Sequence, residues 1–193
     1  MIALKQRYSM SEVEAILSTI PDPEIPVISI RELGILRDIQ VNTDVLGNAS
    51  LEVAITPTYG GCPAMDQIRD DIVSALAQAG LTARVSTRLT PAWTTDWISP
   101  EGKEKLRAYG IAPPHATGSG QCHQQTTIQF APKKGAADAY STVAKAQNDN
   151  EAIQCPRCNS VNTTETSHFG STSCKALYRC LDCMEPFDYF KPY

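Results

Sequence analysis

Cys155-Pro-Arg-Cys158 is followed, after 21 intervening residues, by Cys180-Leu-Asp-Cys183. Each C-x-x-C turn places two sulfurs on one side of the backbone, and two such turns supply the four thiolates of a tetrahedral structural metal site. The spacing therefore points to zinc, or to iron in the same cage, with two disulfides or unrelated thiols as the alternative. The surrounding segment is too short to bury a core of its own, so the metal is expected to contribute on the order of 10 kcal/mol to its folding. Cys174 lies six positions before Cys180 and belongs to neither pair. A tetrahedral cage has no place for a fifth ligand, so Cys174 is expected to be a packed or exchangeable thiol, and His168 is not expected to ligate.

A fifth chemically capable position is Cys62, in Thr56-Pro-Thr-Tyr-Gly-Gly-Cys62-Pro63, immediately before a predicted helix. There the unpaired N–H groups and the positive end of the macrodipole favour thiolate over thiol. Gly60 and Gly61 let the backbone approach a ligand closely. Two readings stay open: a reactive thiol, or a half-buried cysteine at the start of an ordinary helix. Asp22-Pro-Glu24-Ile-Pro26 holds two carboxylates in a segment stiffened by its prolines. Carboxylates beside a thiolate can bind a metal transiently or manage a proton; a solvated turn is the plainer alternative.

The elements that must position these groups are legible in outline. Ser11 and Glu14 match a capping box, and Val13, Ile16, Leu17 and Ile20 recur at helical spacing until Pro21. Ile35, Arg37, Ile39 and Val41 share one face of a predicted strand; Leu51, Val53 and Ile55 alternate in a second, and the two read as an antiparallel hairpin. Pro63 is placed at the first position of a helix striped by Met65, Ile68, Ile72, Leu76 and Ala79 and closed by Gly80. A third strand is predicted over 81–89. The order helix, strand, strand, helix, strand predicts an α+β fold, a small open sheet with helices on one face. Residues 1–112 form this first unit, 113–152 a flexible linker poor in large aliphatics, and 153–193 the four-cysteine ribbon. Trp93 and Trp97 serve either as core or as partner anchors, whereas Tyr189, Phe190 and Tyr193 are expected in the core.

Composition narrows the functions. The net charge is -4, and the segment from Glu151 to Tyr193 carries Arg157, Lys175, Arg179 and Lys191 against five acidic residues. Four thiolates on one divalent cation add further negative charge, so a nucleic-acid-binding ribbon is disfavoured. No run of 18 apolar residues and no secretory leader are evident, so a cytoplasmic protein without a membrane span is expected, with thiols kept for metal or reaction. The paired helical Glu-x-x-His motifs of a di-iron bundle, a Gly-rich nucleotide loop and the ferredoxin cysteine spacing are not found, so turnover by the isolated chain is not expected.

Asp22-Pro-Glu24-Ile-Pro-Val-Ile-Ser-Ile-Arg-Glu-Leu-Gly34 and the Thr56–Pro63 loop resemble the metal–sulfur cluster assembly domain of SufT-like proteins. Pro91-Ala-Trp-Thr-Thr-Asp-Trp97, Lys105-Leu-Arg-Ala-Tyr-Gly110-Ile-Ala-Pro-Pro114, Phe169-Gly-Ser-Thr-Ser-Cys174-Lys-Ala-Leu-Tyr-Arg-Cys180 and Phe187-Asp-Tyr-Phe-Lys191 extend the resemblance to the PaaD family. Those are accessory subunits encoded with the phenylacetyl-CoA ring epoxidase of aerobic phenylacetate breakdown. The linker departs, being longer than the family's connector.

The resemblance implies a maturation role, assisting iron–sulfur cluster assembly or insertion into the epoxidase's [2Fe–2S]/flavin reductase; a working subunit of the epoxidase is the alternative. It implies that Cys62 is the cluster-binding thiol, supported by Asp22, Glu24, Thr56 and Thr58, with a transient iron–sulfur cluster as cargo. Completing ligands would come from a second copy in a homodimer, from the client, or from Cys122 and His123 in the linker.

Overall fold

The computed structural model describes residues 9–43, 49–114 and 153–192. Helix α1 spans Met10–Ser18 and is opened by Ser9, whose hydroxyl accepts from Glu12 N while Glu12 Oε2 accepts from Ser9 N at 2.7 Å. The capping box thus sits two positions earlier than the sequence suggested. Glu14, assigned to the box by its spacing, instead pairs with Arg31 at 3.0 Å. Val13 and Leu17 bury one face of α1, and the chain then enters the proline-rich segment.

Strands β1 (Leu36–Thr43) and β2 (Ala49–Ile55) form the expected antiparallel hairpin. Their register slips between Leu36 and Asp38, so the expected single face of Ile35, Arg37, Ile39 and Val41 is broken. Arg37 sits in this bulge with its guanidinium 3.3 Å from the Trp97 ring centroid, and Val41 is exposed.

Helix α2 (Ala64–Gln78) follows, with Pro63 at the capping position rather than inside the first turn. Ala64, Met65, Ile68, Ile72 and Leu76 are buried along its length. Strand β3 (Ala83–Thr87) is shorter than predicted and runs parallel to β2, giving the sheet order β1-β2-β3. Leu89, predicted as strand, is exposed beyond it. The expected α+β class is therefore the observed one.

A further helix, α3 (Pro100–Tyr109), is capped by Ser99. It runs into a two-residue strand, β4 (Ile111–Ala112). The ribbon contributes β5 (Thr163–Ser167), β6 (Lys175–Cys180) and β7 (Pro186–Phe190). Strand β4 pairs in parallel with β7, so the second sheet has the order β4-β7-β6-β5. The end of the first unit thereby extends the ribbon sheet. Phe190 packs on Trp93 with ring centroids 5.9 Å apart, and Cys174 and Phe190 join the buried cluster built by α1, α2 and the first sheet.

Trp93 is core: it is buried, and its indole N–H donates to Leu33 O at 2.9 Å. Trp97 is half-buried beneath Arg37. Phe187, Tyr189 and Phe190 are buried, while Tyr193 lies outside the described residues. Among the described residues no helix is long and apolar enough to cross a membrane.

Candidate metal and thiol sites

The ribbon builds its site from two turns. Cys155 N–H donates to Ser160 O and Asn159 N–H to Cys155 O, closing the first knuckle; Cys180 N–H donates to Glu185 O, closing the second. Asp182 ties the two together, since its carboxylate accepts from Ser160 Oγ and from Asn162 Nδ2 at 2.8 Å. Each knuckle has a residue in the left-handed region just past its second cysteine, Asn159 at φ 62° and Met184 at φ 65°.

The sulfurs of Cys155, Cys158, Cys180 and Cys183 all lie within 4.8 Å of one another. Cys155–Cys183 is 3.8 Å and Cys158–Cys180 is 3.5 Å. A tetrahedral zinc with sulfur at its usual bond length requires sulfur–sulfur edges of about 3.8 Å, so the two edges of 3.8 and 3.5 Å match such an ion. The Cys183 and Asp182 amides hold Cys180 down at about 7, whereas desolvation and the neighbouring sulfurs outweigh the Glu185 amide and push Cys183 up to about 12. Four thiolates coexist at this separation only with a cation among them; without one, sulfurs such as Cys183 keep their protons. Among the described residues neither His168 nor Cys174 joins this group. The chain's Glu165-Thr-Ser-His168 string, of Glu-x-x-His form, lies at β5 with both side chains exposed and 3.3 Å apart, not on a helix.

The second site surrounds Cys62. Asp22 shapes it from beneath: its Oδ1 accepts from Glu24 N at 2.9 Å and from Ile25 N at 2.8 Å, and its own N–H donates to Ile28 O. The carboxyl is buried, and that burial raises its pKa despite the two amides. Asp22 is therefore committed to the turn that aims Glu24. Thr56 and Thr58 are also buried, and Thr56 N–H donates to Ile35 O, which fixes the start of the loop. Cys62 remains half-exposed beside the exposed Gly60 and Gly61.

The Cys62 thiol is held above its ordinary value, contrary to the expectation from its place at the helix start. Burial is the largest cause; the Ala64 amide and the Tyr59 hydroxyl favour the anion, but Glu24 and Asp22 oppose it. Tyr59 donates to Cys62 and is itself pushed up to about 12 by burial and by the neighbouring Cys62 and Glu24. Alkylation of metal-free Cys62 is accordingly expected to be slow at neutral pH and to keep accelerating past pH 9, the ordinary thiol value. A rate that levels off below pH 8, followed by mass spectrometry, would contradict that balance.

Sequence reasoning missed two members of this site. Tyr59 lay inside the motif that drew attention to Cys62. Cys174 reaches the site from the ribbon: its Sγ is 3.6 Å from Glu24 Oε2 and 3.0 Å from Thr172 Oγ1. Burial pushes Cys174 up to about 11, with Glu24 adding to the rise. Asp22, Glu24, Tyr59 and Cys62 are thus brought together, while Cys122 and His123 lie outside the described residues.

Residues 139–191 match the family model described as the PaaD zinc beta ribbon domain, and residues 10–87 that of the iron–sulfur cluster assembly proteins. The chain is 43% identical over 181 residues to an Escherichia coli (strain K12) protein provisionally assigned as one of the subunits of 1,2-phenylacetyl-CoA epoxidase; the match covers 93% of this chain and 91% of that one. It is 31% identical over 97 residues to an Fe-S protein maturation auxiliary factor of Porphyromonas gingivalis, covering 49% of this chain and 88% of the relative. A solved domain of unknown function, DUF59, from Bacillus anthracis is similar over 50% of this chain and 89% of its own, with 26% identity and a TM-score of 0.43.

Proposed function

Given that the chain belongs to the PaaD family of phenylacetyl-CoA epoxidase subunits, we propose that it is a maturation factor of that epoxidase, without turnover of its own, which carries an iron–sulfur cluster on Cys62 to the [2Fe–2S]/flavin reductase. The observation that carries this reading is the placement of Cys62. It is a half-exposed thiol at the mouth of a rigid loop, hydrogen-bonded by Tyr59 and faced by Glu24, in the segment matching iron–sulfur cluster assembly proteins.

The chemistry is ligand exchange, with no change in oxidation state. Cys62 loses its proton as a sulfur–iron bond forms, and the iron charge offsets the carboxylates that oppose the free thiolate. Tyr59 donates to the ligating sulfur and weakens its grip. On delivery the Cys62 sulfur–iron bond breaks as a client thiolate takes its place, and the client thiol's proton returns to Cys62. A carrier must hold its cargo loosely, and one thiolate with open positions beyond it suits hand-over better than a closed four-cysteine cage.

The ribbon cage is assigned a resident zinc. The ion supplies positive charge and four fixed bonds, and Cys155, Cys158, Cys180 and Cys183 hold it. Its place is structural, since all four donors come from the protein. The location is assigned to the cytoplasm, where such thiols stay reduced, and the partners are the epoxidase components, with a homodimer as a further source of cluster ligands.

Cluster transfer from the anaerobically loaded protein to the metal-free reductase tests the proposal. Wild type is expected to restore the reductase's visible absorption and electron transfer, and Cys62→Ser to fall to the rate of free iron and sulfide. Equal transfer by both proteins would refute a carrier built on Cys62. Reductase that acquires its cluster independently of either protein while the assembled epoxidase still requires this chain would favour the working-subunit reading.

A further inference from the structure

Two observations tie the ribbon to the Cys62 loop. Cys174 meets Glu24, 150 positions away in the chain, and the neighbouring Ser173 hydroxyl bonds Tyr59, which bonds Cys62. Adjacent ribbon residues therefore touch both the proline-rich segment and the Cys62 loop. Glu24 touches the Cys174 thiol and acts electrostatically on Cys62, Cys174 and Tyr59 alike. Its direction is set by the two amides that Asp22 captures.

Cys174 is badly suited to plain packing. It is 4% exposed and joins the apolar cluster, yet its sulfur also meets a carboxylate and a hydroxyl. Lys175, the next residue, is buried with its Nζ 3.4 Å from Asp188, and its charge reaches Asp22 and Cys174.

Resting on the carrier reading of Cys62, we propose that Cys174 is a second cargo ligand, so that an iron–sulfur cluster is held between Cys62 on the first unit and Cys174 on the ribbon, with Glu24 as an exchangeable third donor. The spread of the donors selects a cluster over a lone ion. Among the described residues only the ribbon cage brings three donors within 4.8 Å, so Cys62, Cys174 and Glu24 stand wider than one ion's shell. Ligands on different irons of one cluster can stand further apart than the ligands of one ion. Each thiol gives up a proton as its sulfur–iron bond forms, and no redox partner is needed. The ribbon then has a task beyond stability: it supplies half of the thiolate grip.

The test is anaerobic reconstitution of the full chain with ferrous iron and sulfide, comparing wild type, Cys62→Ser, Cys174→Ser and Thr172→Val for iron, sulfide, cage metal and melting temperature. Cys174→Ser is expected to lose cluster occupancy about tenfold or more, as Cys62→Ser does, while keeping its cage metal. Thr172→Val, which disturbs the same packing without removing a donor, is expected to keep the cluster. Cys174→Ala replaces the serine variant if serine fails to melt cooperatively. Full cluster in Cys174→Ser with loss in Cys62→Ser would overturn this proposal and leave the carrier reading standing. No cluster in wild type would overturn both. Ferrous iron bound without sulfide, and lost in both cysteine variants, would overturn the choice of a cluster over an ion.

Discussion

Replacing Cys155 or the exposed Cys158 with serine is expected to cost the ribbon its metal and its fold. Without the cation the clustered sulfurs take up protons and the bonds joining the two turns are lost, and the metal's contribution, on the order of 10 kcal/mol, exceeds what a segment of this size recovers elsewhere. The consequence reaches beyond residues 153–192. β7 releases β4, and Phe190 leaves the face of Trp93, which is 3% exposed in the folded chain. The variants, and wild type treated with a strong chelator, are therefore expected to show red-shifted tryptophan emission and fast amide exchange through β5–β7. The α1–β3 core should keep its protection, because its own buried cluster is built from Val13, Leu17, Val53, Ile55, Ile68 and Ile72. Slow exchange in β6 without metal would contradict a metal-dependent ribbon.

The second large effect is expected at Gly34. Its φ of +76° lies where L-residues are strained, and an added Cβ would stand 2.6 Å from Trp97 Cβ and 2.7 Å from Trp97 O. The backbone oxygen cannot swing aside as a side-chain tip does. Gly80 separates the two contributions: its φ is +74°, yet nothing lies within 4 Å of the Cβ position. Gly80→Ala should cost about 1–2 kcal/mol, the strain alone. Gly34→Ala adds overpacking of roughly 1–3 kcal/mol, for about 2–5 kcal/mol together. A domain of this size loses about 2–4 °C per kcal/mol, so Gly34→Ala should melt about 10 °C lower. Equal melting temperatures for the two alanine variants would show that the Gly34–Trp97 approach has no stabilising role.

Local pattern carried the sequence reading a long way, and its failures have physical reasons. The two knuckles, the apolar stripe of α2 and the alternation of β2 are short-range signals, and each element formed where those signals lay. The capping box was misplaced because Ser9-x-x-Glu12 and Ser11-x-x-Glu14 both satisfy the pattern; Arg31, 17 positions from Glu14, claims the second glutamate. The bulge at Arg37 is set by the Trp97 ring, which periodicity in β1 does not encode. Cys62 was expected to favour the thiolate because helix position was weighed without burial or the two carboxylates that oppose ionisation. Ribbon docking through β4, Phe190 and Cys174 depends on pairings across long chain separations, so a cysteine outside both knuckles gave no sign of its meeting with Glu24.

The account turns on Cys62, and the iron and sulfide content of protein purified without oxygen measures it most directly. Wild type is expected to hold one cage metal plus iron and sulfide, and Cys62→Ser to hold the cage metal alone. One cage metal with no iron or sulfide in wild type, or the same iron and sulfide in both proteins, would contradict a carrier centred on Cys62.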